Sequence, residues 1–175
     1  MIFAGTGSPR LRKKRRNFCM SCAHSAGRCG ASMNNPMHVR DVETGFVIKL
    51  SRGEKVMESL TEFCKTRGLQ GGFLQGIGAV RNTEMGYYDL EKREYFFKSY
   101  PGDMEVISMT GNIALVDEAP FLHVHLTLSD TENRAHGGHL KEAEVAVTLE
   151  VFLTPFPVAL KRTYDDGTGL KLLDI

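Results

Sequence analysis

The sequence predicts an α+β domain built on a largely antiparallel β-sheet with one main helix. Segments rich in strand-forming residues outnumber the segments with helical spacing. Most joints between the predicted strands are too short for the crossovers that parallel pairing requires. The composition agrees, since 42% of the 175 residues are hydrophobic and 25% are charged, which is typical of a globular domain and excludes a collagen or a coiled-coil rod. No apolar run approaches the ~18 residues of a membrane-spanning segment, so none is predicted.

The first predicted elements are a strand at residues 46–50 (FVIKL) and the main helix after it. Ser51 and Glu54, three residues apart, form the capping-box signature that begins a helix, and Gly68 is expected to end it. Cys64 belongs to the apolar face and is therefore expected in the core instead of acting as a reactive thiol. That face comprises Val56, Met57, Leu60, Phe63 and Cys64.

The glycine-rich run at residues 71–80 (GGFLQGIGAV) is predicted to be a strand and not a dinucleotide-binding loop. Its glycines follow a helix instead of opening one, and the G-x-G-x-x-G spacing is absent. Close packing of backbones explains them better. The remaining strands are predicted at residues 84–89 and 94–100, as a hairpin around the LEKR turn, and at residues 104–116, 121–128 and 144–153.

Residues 1–36 differ in composition from the rest and are predicted to be a disordered basic arm or tail, with a folded domain at residues 37–175. The arm contains seven of the 22 basic residues and no acid. Residues 37–175 contain the remaining 15 basic residues and all 21 acidic residues, so this part of the chain, the body, has a net charge of about −6. With that charge the body is a poor non-specific binder of nucleic acid. Candidate nucleic-acid-binding residues therefore lie in the arm: Arg10, Arg12, Lys13, Lys14, Arg15 and Arg16.

Several interpretations of the arm stay open. It could bind nucleic acid, serve as a nuclear address or organelle transit peptide, or be a dispensable tail. Cys19, Cys22, His24 and Cys29 could ligate zinc, although the single residue between Cys22 and His24 makes the spacing tight. The few cysteines and the missing signal peptide favour a cytoplasmic location, or a nuclear or organellar one if the arm is a targeting segment.

Two histidines alternate on the strand predicted at residues 121–128. His123 and His125 share one face, while Leu122, Val124 and Leu126 share the opposite face and are expected in the core. Residues i and i+2 of a strand lie ~6.6 Å apart, which lets two imidazoles converge on one metal ion.

His139 is the candidate for the third ligand. Gly137 and Gly138 are predicted to bend the backbone sharply and bring His139 back over the first strand, and His136 is an alternate. Glu150 is expected on the histidine side as a hydrogen-bond acceptor or general base. Neutral nitrogen donors favour zinc or another divalent transition metal.

The sequence resembles the plant and prokaryote conserved (PPC) domain family across nearly all of residues 37–175. The resemblance is carried by the segments LSRGEKVMESLTEFCKTRG, GFLQGIGAV, MEVI leading into SMTGNI, LHVH and GGHL. It implies a homotrimer whose metal-binding unit maps onto His123, His125 and His139. Plant members carry AT-hook segments and are often described as DNA-binding. The arm has LRKKRR but no Arg-Gly-Arg-Pro core, which puts direct DNA binding in doubt.

Two functions are therefore expected. The first is a homotrimeric PPC-domain protein with a three-histidine metal site, acting as a DNA-binding or regulatory module. The alternative is a metal-dependent enzyme acting on a small oxo-acid, with Glu150 or Glu105 moving a proton. The alternative follows from an architecture similar to that of acetolactate decarboxylase, which is an analogy of fold alone.

Overall fold

The computed structural model describes residues 37–175, which form one helix and eight strands. The α+β class, with a largely antiparallel sheet and one main helix, is confirmed. In chain order the elements are β1 (His38–Val42), β2 (Gly45–Ser51), α1 (Val56–Thr66), β3 (Gly72–Asp89), β4 (Glu94–Val116), β5 (Ala119–Ser129), β6 (Ala135–Pro155), β7 (Lys161–Asp165) and β8 (Leu170–Asp174).

The basic arm predicted at residues 1–36, including its six candidate nucleic-acid-binding residues and its Cys and His set, lies outside the described residues. No helix in the described part of the chain is long and apolar enough to cross a membrane.

Hydrogen-bonded ladders close a ring of four strands. β6 pairs with β3, β3 with β4, β4 with β5, and β5 returns to β6, each time antiparallel. β2 and then β1 extend the sheet from β6. A short parallel contact between Leu115 of β4 and Lys161 of β7 attaches the C-terminal hairpin of β7 and β8.

The core lies between the helix and the inner face of the sheet. α1 packs against β5 and β6 and buries Val56, Leu60, Phe63 and Cys64, so the prediction that Cys64 is a core residue is confirmed. Burial raises the pKa of its thiol to about 12, because the thiolate would lose its hydration. Cys64 is therefore not a reactive thiol at neutral pH.

The start of α1 departs from the predicted capping box. The helix begins after Lys55 and not after Ser51; the Glu54 carboxylate accepts a hydrogen bond from the Ser51 N–H at 2.6 Å, which closes the preceding turn. The first N–H groups of the helix instead donate to the carboxylate of Glu142 on β6, with Met57 at 2.8 Å and Glu58 at 3.2 Å. A carboxylate at this position also complements the positive end of the helix dipole.

β3 and β4 are longer than predicted. The two strands predicted around residue 81 form one continuous β3, and the two predicted around residue 102 form one continuous β4. The pairing of β3 with β4 shifts register near Gly78 and Asn82, where β-bulges interrupt the regular ladder. Asn82 has a left-handed backbone conformation with φ of 48°. Bulges of this kind bend a strand without ending it.

Candidate metal centre

The two faces of β5 have opposite characters. Leu122, Val124 and Leu126 are almost fully buried in the core, and the intervening His123 and His125 lie on the outer face. The alternation that the sequence predicts is therefore present. Pairing with β4 places Asn112 opposite His123 and Thr110 opposite His125.

His139 reaches the same outer face through strand pairing. It lies directly opposite His125 in the ladder between β5 and β6. The predicted sharp bend at Gly137 and Gly138 is wrong, because both residues lie within the continuous strand β6. Their role is close approach of backbones: a Cβ on Gly138 would come within 2.8 Å of the carbonyl oxygen of Gly86.

The three imidazoles form one compact cluster. Nε2 of His123 lies 3.1 Å from Nε2 of His125. One ring nitrogen from each of the three residues lies within 4.8 Å of the other two. Ring centroids are 5.0 Å apart for His123 and His125, 5.0 Å for His123 and His139, and 5.5 Å for His125 and His139.

The surroundings of the cluster disfavour protonation of His123 and His139. Burial, the other two histidines and Arg162 together lower the pKa of His123 to about 4. The pKa of His139 is lowered by its burial and by its electrostatic interactions with His125 and Arg162. A neutral imidazole is the form that ligates a metal ion, so protons compete weakly for these two residues at pH 7.

The donor set fits a divalent transition metal. Three neutral nitrogens are a recurrent set in zinc sites that keep one coordination position open. Nδ1 of His139 is buried and has no hydrogen-bond partner among the described residues, and a buried polar atom without a partner destabilises the fold. A tetrahedral zinc ion with bonds of ~2.0 to 2.1 Å holds its nitrogens roughly 3.4 Å apart, close to the separation that His123 and His125 already have.

Three neighbours of the triad were not predicted from the sequence. Arg162 of β7 places Nη2 2.8 Å from Oδ1 of Asn112 and 3.3 Å from Nδ1 of His123. The ring of Tyr95 lies 4.8 Å from that of His139. Tyr95 of β4 and Arg162 of β7 are far from the histidines in sequence, and no local motif marks them. Asn112 lies in the SMTGNI segment of β4, whose spacing does not by itself indicate a contact with the site.

Other predicted site residues lie elsewhere. Glu150 pairs with Lys49 and Ile77, eleven residues beyond His139 along β6, and Glu105 pairs with Ser129 at the far end of β5. Neither carboxylate belongs to the cluster or lines its clefts.

His136, the alternate ligand, is also separate from the cluster. Its Nε2 lies 3.1 Å from the Asp130 carboxylate. This contact, together with hydrogen bonds from Arg134 and Glu132, lowers the pKa of Asp130.

The triad lies between two clefts. One, of about 500 Å³, reaches all three histidines and has aromatic walls that include Tyr87, Tyr95 and Phe97. The other, of about 360 Å³, reaches His123 and His139 from the side of the C-terminal hairpin. A ligand in either cleft would lie beside the imidazoles.

A β-sheet domain with a three-histidine cluster on its outer face is thus the class that fold and site define. Residues 37–157 match the family model of the Plants and Prokaryotes Conserved (PCC) domain, the name also abbreviated PPC. This chain belongs to that family, as the sequence resemblance indicated.

Solved structures share the fold. A structure from Bacteroides thetaiotaomicron, described as a "putative dna binding protein", is 26% identical, has a TM-score of 0.77 and covers 80% of this chain and 98% of its own. A PPC protein of Pyrococcus horikoshii is 31% identical, with a TM-score of 0.70 and coverage of 81% and 96%. A metal-containing protein of Archaeoglobus fulgidus is 33% identical, with a TM-score of 0.70 and coverage of 79% and 98%.

Curated relatives are more distant. The bifunctional protein GlmU of two Synechococcus strains is 24% identical over 133 residues and 23% identical over 155 residues. The chain spans only 20% and 23% of the length of these proteins.

Proposed function

We propose that this chain is a homotrimeric PPC-domain protein that binds zinc or a similar divalent metal through His123, His125 and His139 and acts as a DNA-binding or regulatory module. The domain comprises residues 37–175, and residues 1–36 form a basic arm. The observation that carries the proposal is the convergence of three imidazole nitrogens within 4.8 Å. The metal-containing relative from Archaeoglobus fulgidus supports it.

Exposed apolar side chains support self-association. Direct pairing across strands aligns Phe152, Gln75, Thr110 and His125 in one row, so the histidine face continues into this surface. An apolar patch beside a polar site favours a protein contact. Its large side chains are between 41% and 68% exposed: Phe73, Ile77, Ile107, Val147 and Phe152.

Nucleic-acid binding would come from the arm. The acidic body repels phosphates, whereas seven basic residues per chain attract them. A trimer would multiply such weak contacts through a high local concentration of arms. The description of relatives as DNA-binding is consistent with this function.

Metal analysis and mass in solution test the metal site and the trimer. Wild-type protein is expected to hold one ion per chain and to have three times the mass of one chain by light scattering. His123→Ala should lose most of the metal, because two nitrogens bind zinc much more weakly than three. His136→Ala is the matched control, since His136 lies outside the cluster and should not alter metal content. An unchanged metal stoichiometry in His123→Ala contradicts the assignment, and a monomeric mass contradicts the trimer.

Deletion of residues 1–36 tests the nucleic-acid function. Affinity for duplex DNA, measured by fluorescence anisotropy at two salt concentrations, should be lost on deletion and should fall steeply with salt in the full chain. Affinity that survives the deletion would place the binding surface on the folded domain and contradict the role of the arm.

A metal-dependent enzyme acting on a small oxo-acid is the second candidate. The clefts beside the triad favour it, because a sealed or flat site would leave no room for a substrate. Bound zinc would supply a Lewis acid that polarises a carbonyl oxygen. Burial and the neighbouring Tyr88 raise the pKa of Tyr95, so its hydroxyl holds its proton and can donate a hydrogen bond beside His139.

A further inference from the structure

The C-terminal hairpin encloses a cleft that differs from the aromatic one. β7 and β8 follow the residues that match the family model, and together with β4 and β5 they surround about 360 Å³. The walls are largely apolar and include Val116, Phe121, Leu170 and Leu172. His123 and His139 also line this cleft.

Arg162 lies in this cleft with neutral partners. Its guanidinium donates to Oδ1 of Asn112 at 2.8 Å and to the carbonyl oxygen of Lys171 at 3.1 Å, and it contacts Nδ1 of His123 at 3.3 Å. Nε of Arg162 is buried without a partner. No carboxylate within residues 37–175 lies within ion-pair distance of it.

A partly buried and uncompensated guanidinium is unusual. Taking a charge out of water is unfavourable unless a countercharge accompanies it. Arg162 also lies 5.5 Å from the ring centroid of Phe121, a contact that orients the guanidinium but adds no net negative charge.

The second cation of the cleft is already neutralised. Lys171 places Nζ 2.6 Å from Oδ2 of Asp117. One positive charge, that of Arg162, therefore remains for an occupant. An occupant that matches the cleft carries a single negative charge. It also has a short apolar tail that contacts the apolar side chains lining the cleft, namely Val116, Phe121, Leu170 and Leu172.

We propose that this cleft binds a small monocarboxylate with a short branched or linear apolar tail, whose carboxylate pairs with Arg162 beside His123. A planar carboxylate complements a guanidinium better than a spherical anion does. The site goes beyond the proposed metal function and does not depend on a bound ion.

Binding of 3-methylbutanoate to metal-free full-length protein, prepared with a chelator and measured by calorimetry, tests the site. The neutral isostere 3-methylbutanamide should bind at least about tenfold more weakly, because it has no charge to pair with Arg162. Acetate should also bind more weakly, because it lacks the tail. Equal affinity for acid and amide, or no binding of the acid at millimolar concentration, overturns the proposal. Inorganic phosphate that binds as tightly as the branched acid overturns the assignment to monocarboxylates.

Variants locate the site. Arg162→Gln should lower the affinity for 3-methylbutanoate at least about tenfold. Lys161→Gln is the matched control, since it removes the same charge from the neighbouring position of β7, where Lys161 pairs with Glu118 at 3.0 Å; it should leave the affinity unchanged. Retained binding in Arg162→Gln, with its fold verified by circular dichroism, overturns the proposal. His125→Ala removes the metal ligand outside the cleft, so acid binding that persists in this variant separates failure of the metal centre from failure of the carboxylate site.

Discussion

The two halves of β6 serve different purposes. The C-terminal half lies between β2 and β3 and buries Val145, Leu149, Val151 and Leu153 completely or nearly so. The N-terminal half pairs with β5, contains Gly137 and Gly138, and presents His139 on the outer face. One strand thus links a region that stabilises the fold to a region that positions ligand atoms, and substitutions in the two halves should have separable effects.

The largest effect on stability is expected in the C-terminal half. Leu149→Ala removes a side chain with no exposed surface and leaves a cavity, so the free energy of unfolding should fall by about 2 to 5 kcal/mol. Urea denaturation followed by circular dichroism measures it. Metal content of the folded fraction should not change, because His139 lies ten residues away. A loss of metal at full folding would show that the two halves are not separable.

Substitutions in the N-terminal half of β6 should change the position of His139 and therefore the affinity for metal. Gly138→Ala places a Cβ 2.8 Å from the Gly86 carbonyl oxygen, so the strands must separate at a cost of roughly 1 to 3 kcal/mol. Metal affinity should also fall, because His139 moves with the backbone. Gly137→Ala is a milder comparison, since its Cβ would meet the Leu126 carbonyl oxygen at 3.2 Å. Metal titration of both variants measures the effect, and a normal affinity in Gly138→Ala would contradict the role of close packing.

Lowering the pH should reduce the free energy of unfolding of the metal-free protein by less than either of these substitutions in β6. The folded-state pKa of His123 is about 4, below the ordinary ~6.5 of the unfolded chain. The unfolded state therefore binds more protons between these values, and the stability present above pH 6.5 is lost as the pH falls toward 4. Because His123 is only partly buried and solvent screens it, the loss from pH 7 to pH 5 should be about 1 kcal/mol.

His123→Gln is the control for this titration. It removes the titrating ring and leaves the carboxylates unchanged. Urea denaturation of both metal-free proteins at pH 7 and pH 5 should show a smaller decrease for the variant. Identical decreases would mean that His123 does not retain a low pKa in the folded state.

Local patterns predicted much of the fold and the triad. Alternation in LHVHLTL and helical spacing after Ser51 depend on neighbours in sequence, so they predict β5 and the body of α1, although not the residue at which the helix begins. The predicted bend at Gly137 and Gly138 is wrong, because glycine permits either a bend or a close approach of backbones, and only the position of Gly86 decides between them.

Long-range pairing explains what the sequence did not predict. Arg162 and Tyr95 meet the histidines through the ladders around β4, and no spacing in the chain encodes that meeting. Glu150 alternates with the hydrophobic residues of β6, and this alternation predicts its side chain on the same face as the histidines. The length of β6 instead places it beside Lys49, far from His139.

An open strand edge is a risk for aggregation, because its unpaired backbone groups can pair with another chain. Within residues 37–175, β1 and β8 are the two ends of the main strand order. Both are five residues long and contain charged side chains, as HVRDV and LKLLD. Short charged borders discourage the addition of foreign strands. The apolar surface around Phe152 consists of side chains on the face of the sheet. Contacts made there bury side chains and offer no template for continuous backbone pairing, which is the mode of growth that leads to fibrils.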